Sequence, residues 1–307
     1  MSVVANARKR LKIGLRALRL SSRACRFVET AIAEDEVIAF LKTQNYNLPE
    51  LQIKKDYIGS QCKNVWQFWG QGVEAAPQIV KACVNSVSTK LAHLDHVVLT
   101  RETVREYVDI PEYILEKYEK KIISEAQFSD IIRLLLLSSY GGTWIDATVL
   151  LTQPPPDIFF AAPFFCFSSP TENLLGGSRI LGSSWFLHAA KEHPLVVSAK
   201  NIMLTYWEKN NELVHYYLLH LIFSYLVETN CSMRKEWEKI PFFSSVPPHV
   251  LQFELSRPFD PNRFRDILGM SAVHKLTYYG INGDRESGMM TFYDYLTTRF
   301  GEDEHVI

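Results

Sequence analysis

Between Phe128 and Leu137 apolar residues fall on every side of a helical wheel, in the run Glu125-Ala-Gln-Phe-Ser-Asp-Ile-Ile-Arg-Leu-Leu-Leu-Leu-Ser-Ser-Tyr140. A helix with no polar stripe through its middle is one that a fold buries. Its ends are also marked. Ser124, with Gln127 three residues on, has the form of a capping box, and Gly141-Gly142 supplies residues that take left-handed backbone at a helix stop. The pattern then changes: Thr143-Trp-Ile-Asp-Ala-Thr-Val-Leu-Leu151 is β-branched and aromatic and predicts one strand, with Asp146 its one charge.

The same patterning places the other elements. Lys63 to Gly72 predicts a short aromatic strand ending in glycines, Pro77 to Leu91 a helix, and His96 to Thr100 a strand. Arg101 to Val108 and Pro111 to Lys120 predict two helical pieces broken at Pro111. Phe164 to Phe167 predicts a further strand, Pro170 to Gly182 a polar loop, and Ser184 to Ala190 another element. Pro194 to Trp207 and Leu213 to Val227 carry helical periodicity, and Ser271 to Tyr279 is rich in β formers. Glu34 to Gln44 predicts a short helix ahead of all of these. Alternating strands and helices make the chain α/β, with a mostly parallel sheet covered by helices and ligands expected beyond the carboxyl ends of its strands.

Charge inside the apolar stretches is the informative exception. Asp130 and Arg133 stand three apart on the buried helix, so they share a face. They form either an internal ion pair that anchors the helix or two groups reaching a ligand pocket, and the spacing leaves both open. Asp146 requires a hydrogen-bond partner, a cation or a strand end, and is a site candidate for that reason. His215 and His220, five apart, do not share a helical face and are expected as core or rim residues.

Composition narrows the classes. The 307 residues are 47% hydrophobic and 12% aromatic, enough for a large core, which excludes disordered and fibrous classes. The net charge is -1, yet residues 1 to 28 hold eight basic and no acidic side chains, leaving 25 basic against 34 acidic elsewhere. An acidic body argues against nucleic acid as a partner. In the basic segment Leu11, Leu15 and Leu18 recur at helical spacing, which fits either an interfacial helix on an anionic membrane surface or a helix on its own domain. We divide the chain into a basic helical arm and connector over residues 1–60 and one domain over 61–307. The five cysteines show no C-x-x-C spacing, and no apolar run reaches the roughly 18 residues of a membrane span. The expected location is cytoplasmic, peripheral to the inner face of a membrane at most.

Asp130-x-x-Arg133, the leucine run and Tyr140-Gly-Gly-x-Trp-x-Asp146 together resemble the conserved block of glycosyltransferases that carry a DXD sugar-binding region. More closely, the chain resembles the capsular polysaccharide synthesis protein family of bacteria. Val65-Trp-Gln-Phe-Trp-Gly-Gln-Gly72, Asp109-Ile-Pro-Glu-Tyr113, Trp144-Ile-Asp-Ala-Thr148, Ser184-Trp-Phe186 and His274-Lys-Leu-Thr-Tyr278 carry that likeness, over about residues 60 to 280. The resemblance implies a GT-A-like fold, with a Rossmann-type nucleotide-binding half and a helical acceptor-side region. It implies transfer of a hexose-type sugar, with retention, from a nucleoside diphosphate sugar to a capsular or other surface glycan, free or lipid-linked.

By the same likeness Asp130 and Arg133 would bind donor sugar hydroxyls, Asp146 would meet ribose and metal, and Trp66 and Gln67 would line the nucleotide pocket. His274 and Lys275 would contact metal or pyrophosphate. Mn2+ or Mg2+ is the implied cofactor, with Asp146 and His274 as ligands. Here the chain departs from the pattern, because Thr148 stands where the motif has its second Asp, and a hydroxyl is a poor ligand for a hard cation. Two expectations remain open: a cation held by one carboxylate and pyrophosphate, or Lys275 and His274 neutralising the pyrophosphate directly. A non-catalytic glycan-assembly subunit that keeps the fold is the alternative reading.

Overall fold

The structure, a computed structural model, describes residues 22–44, 46, 62–169, 178–280 and 288–301, without the side chains of 22–29. The basic segment up to residue 21 and most of the predicted loop from Pro170 lie outside the described residues.

The buried helix forms where its caps place it, over Glu125–Tyr140 (α4 in the numbering below). The Ser124 hydroxyl accepts from the Gln127 N–H, and the Gly141 N–H closes on the Leu137 carbonyl. Only this half of the capping box forms, because the Gln127 amide turns instead to the Tyr216 carbonyl at 3.0 Å. Leu134, Leu136 and Leu137 are fully buried, each contributing on the order of 2 kcal/mol of burial.

In chain order the elements are α1 (Ser22–Thr43), β1 (Asn64–Phe68), α2 (Gln78–Lys90), β2 (Asp95–Leu99), α3 (Glu112–Glu119), α4, β3 (Gly142–Ile145), β4 (Val149–Leu151), α5 (Ile158–Ala161), β5 (Phe164–Ser168), β6 (Gly182–Ala189), α6 (Pro194–Lys209), α7 (Leu218–Thr229), α8 (Cys231–Trp237), α9 (Pro261–Met270), β7 (Val273–Lys275) and α10 (Phe292–Gly301). The main sheet has the order β2-β1-β3-β6-β5. β1 pairs parallel with β2 and β3, and β6 runs antiparallel to both β3 and β5, so four of the five strands point the same way. The fold is α/β with a mixed sheet covered by helices. One face packs α4, α6, α7 and the buried side of α1, and the other carries α2 and α10.

Four sequence expectations change. Glu34 to Gln44 is the end of one long helix beginning at Ser22, and Leu213 to Tyr217 stays outside the helix that starts at Leu218. Arg101 to Val108 contains only a 3-10 turn, Thr103–Glu106. The predicted strand 143–151 breaks in two: β3 stays in the main sheet, while β4 leaves it to pair antiparallel with β7. Asp146, Ala147 and Thr148 occupy the break. There the Asp146 N–H donates to the Trp185 carbonyl and the Val149 N–H to the Asp146 carbonyl.

Gly142 shows why glycine precedes the strand. Its φ is +99°, and a Cβ there would lie 2.3 Å from the Asn64 carbonyl oxygen, so only glycine lets β3 approach β1. Among the described residues no helix is long and apolar enough to cross a membrane.

Candidate functional site

β1, β2 and β3 run parallel and end on one edge, and Asp146 is the first residue beyond β3. The carboxyl edge of such strands is where α/β sheets hold ligands. Two elements aim cations at Asp146. α4 brings Arg133 from one side, and β7, paired to β4 with Lys275 opposite Val149, brings Lys275 from the other.

The result is a closed set of charge-assisted bonds. Arg133 donates through Nη1 to Asp130 Oδ1 at 2.8 Å and through Nη2 to Asp146 Oδ1 at 2.9 Å. Lys275 Nζ donates to Asp146 Oδ2 at 2.7 Å and to Thr148 Oγ1 at 2.6 Å. The Trp144 indole N–H donates to Asp146 Oδ1 at 2.8 Å, and the Arg133 guanidinium lies 4.9 Å from the Trp144 ring centre. A planar fork presents a separate nitrogen to each of two carboxylates in one fixed geometry. The spacing of Asp130 and Arg133 thus yields both an internal ion pair and part of a larger cluster at the strand ends. Asp130 Oδ2 has no bond from the described residues, so this carboxylate keeps an accepting oxygen.

The two carboxylates titrate in opposite directions. Burial acts to raise the pKa of Asp146, but Lys275 and Arg133 outweigh it and hold the group below its ordinary value. Asp130 has no second cation; burial lifts it to about 6, against the pull of Arg133 and with help from the Asp146 charge. A folded-state pKa above the ordinary 3.8 means that the folded protein keeps this proton longer than the unfolded chain, so Asp130 costs stability as pH rises through that range. Relative to wild type, Asp130→Asn should therefore gain about 3 kcal/mol at alkaline pH and almost nothing at pH near 4. Paired thermal melts across pH check this, and a difference independent of pH contradicts it.

The other predicted residues fall in different places. Gln67 is fully buried and supports the site from below: its amide reaches the Asp146 carbonyl at 3.3 Å, while its Oε1 lies 2.8 Å from His96 Nε2. Trp66 is 2% exposed, donates to the Gly141 carbonyl, and packs edge-on against Tyr107, so it presents no face to a base. His274 is fully buried on the opposite face of β7 from Lys275 and lies 3.1 Å from Thr152 Oγ1. Neighbouring strand residues point to opposite faces, so β7 can deliver only one of the two. Both Asp146 oxygens are already engaged, and Lys275 spans Asp146 and Thr148, the pair a divalent cation would use. Among the described residues no group of three or more His, Cys, Asp or Glu side chains could hold a metal ion. The side chains as placed therefore do not fit a resident divalent cation.

Trp144 and Tyr216 were not singled out from sequence, and His220 was expected only as a core or rim residue. Trp144 sits inside the quoted motif, where its indole N–H to Asp146 had no sequence signal beyond residue type. Tyr216 and His220 reach the cluster from around the start of α7; burial lowers His220 to about 3, with Arg133 adding to that and Asp146 opposing it. Its imidazole is neutral beside the charges.

The family profile described as capsular polysaccharide synthesis protein matches residues 22–296. "Glycosyltransferase afumC" of Aspergillus fumigatus is 31% identical over 114 residues, which are 34% of this chain and 29% of that protein. Among solved structures, "PaToxG Glycosyltransferase" aligns with a TM-score of 0.35 at 12% identity, over 69% of this chain and 86% of that one.

Proposed function

Because the chain belongs to the capsular polysaccharide synthesis protein family, we propose that it is a hexosyltransferase that moves a sugar from a nucleoside diphosphate sugar to a growing capsular or other cell-surface glycan. The observation that carries this reading is the cluster of Asp130, Arg133, Asp146 and Lys275 at the carboxyl edge of the parallel strands. Asp130 Oδ2 is the acceptor for a donor-sugar hydroxyl, and the Arg133 fork fixes its direction. Lys275 is the prepositioned cation nearest the strand ends, suited to the charge that grows on the departing diphosphate. In the reaction the bond from the anomeric carbon to the diphosphate oxygen breaks and one to the acceptor hydroxyl oxygen forms. With retention, the acceptor enters on the face the diphosphate leaves, and the departing phosphate oxygen takes the hydroxyl proton. The cations that hold Asp146 support a reaction in which Lys275 takes the place of the motif's metal.

The experiment is nucleotide release from a panel of UDP- and GDP-sugars by the full chain, with and without Mn2+. Release from at least one donor, at the same rate with chelator present, is the expected result. Absence of both release and donor binding across the panel would sink the proposal and favour a non-catalytic subunit.

A further inference from the structure

The backbone of Asp146 is held from both neighbouring strands, and on one side the hold begins at the edge of the sheet. From β6 the Trp185 carbonyl accepts the Asp146 N–H at 2.8 Å. On the β1 side the ladder stops short, its pairing with β3 running only from Val65 and Thr143 to Trp66 and Trp144. The Gln67 side chain continues it: Nε2 donates to the Asp146 carbonyl at 3.3 Å. Gln67 is fully buried, so its amide takes its direction from protein partners alone. At its other end stands His96 of the edge strand β2, with Nε2 2.8 Å from Gln67 Oε1. The register sets His96 beside Val65, which puts His96 and Gln67 on one face of the sheet.

Chemistry gives this chain of bonds a single direction. A carbonyl only accepts, so Asp146 requires the NH2 end of the Gln67 amide. The amide oxygen then faces His96, and it too only accepts, so His96 must carry its proton on Nε2. With the amide reversed, its oxygen would meet the Asp146 carbonyl oxygen and the bond would be lost. Burial lowers His96 to about 4, so at neutral pH the ring holds one ring-nitrogen proton and its tautomer decides which way Gln67 points.

We propose that His96 is a positioning residue for Asp146: its Nε2–H fixes the Gln67 amide, which holds the backbone from which the Asp146 carboxylate meets Arg133 and Lys275. Only its kinetic consequence rests on the transferase reading above, and the tautomer and the backbone hold are measured without turnover. The test begins with NMR of the full chain carrying isotope-labelled histidine at neutral pH, the His96 signals being assigned by their loss in His96→Gln. A ring protonated on Nε2 is expected, and protonation on Nδ1 overturns the proposal. Amide hydrogen exchange then follows Val149, whose N–H shares the Asp146 carbonyl with Gln67. In His96→Leu this amide should exchange roughly tenfold faster while the amides of β6 hold, and in His96→Gln, whose side chain can still donate to Gln67, it should stay within about twofold of wild type. Should His96→Leu not fold, His96→Asn, too short to reach Gln67, replaces it. Unchanged exchange at Val149 overturns the proposal. With a donor that wild type turns over, His96→Leu should lower kcat roughly tenfold, leave KM for the donor nearly unchanged, and cost nothing further in a Gln67→Met background. An equal cost in that background means that His96 acts apart from Gln67, which also overturns it. If wild type releases nucleotide from no donor, the transferase reading fails, and the tautomer and the exchange still judge His96.

Discussion

Sugar transfer, the reaction proposed above, should fall at least about a hundredfold in an Asp146→Asn variant that still folds, because a charge that organises two cations is lost with almost no change in volume. Asn keeps one carbonyl oxygen for Arg133 or Lys275 and turns an amide, itself a donor, toward the other. Lys275 then keeps Thr148 but loses the charge that aims it. The effect on stability is smaller, about 1 to 2 kcal/mol, since the Asp146 side chain is 24% exposed and the freed ammonium can reach water. Steady-state rates and urea melts on the same preparation separate the two effects. Full specific activity in a strongly destabilised variant would make this carboxylate purely structural.

Arg133→Leu has the largest expected effect on folding, a loss of about 3 to 5 kcal/mol, because it removes one member of a buried pair and strands the other. The Arg133 side chain is 4% exposed, so water cannot replace it. Asp146 retains Lys275, but Asp130 is left without a cation and its pKa rises further above the value of about 6 that it has with Arg133 present. The sign follows: the variant is weakest at alkaline pH, where Asp130 must ionise, and recovers as pH falls and the carboxyl keeps its proton. Arg133→Lys should not restore full stability, since an ammonium lacks the fixed fork that puts a separate nitrogen on each carboxylate. Asp130→Leu/Arg133→Leu should be more stable than Arg133→Leu alone, and urea melts at acid and alkaline pH on all four proteins check the series. Equal stability of the single and double variants would mean that the stranded carboxylate is not the cause.

The parts of the fold set by local chemistry were legible in the sequence. Ser124 and Gly141 marked both ends of α4, and the residues between them could be only a buried helix. The break inside 143–151 was not legible, because Val149 to Leu151 are as good strand formers as Thr143 to Ile145. What divides them is a backbone bond to Trp185, a residue supplied by another strand. Trp66 and Gln67 were expected at the nucleotide pocket from the family likeness, yet β1 lies between β2 and β3, and both side chains are buried. The pair His274-Lys275 carried half an answer. Strand alternation says that one of the two faces the site, and only the register of β7 on β4 says which.

The bond from Lys275 to Asp146 joins residues 129 apart in sequence and lies where β4 departs from the main sheet. During synthesis, Asp130, Arg133 and Asp146 leave the ribosome close together, but their second cation is still untranslated. Loops this long close late in folding. Until β7 docks, the nascent protein holds two carboxylates on a single guanidinium. The charge cluster is therefore complete only once β7 has paired with β4.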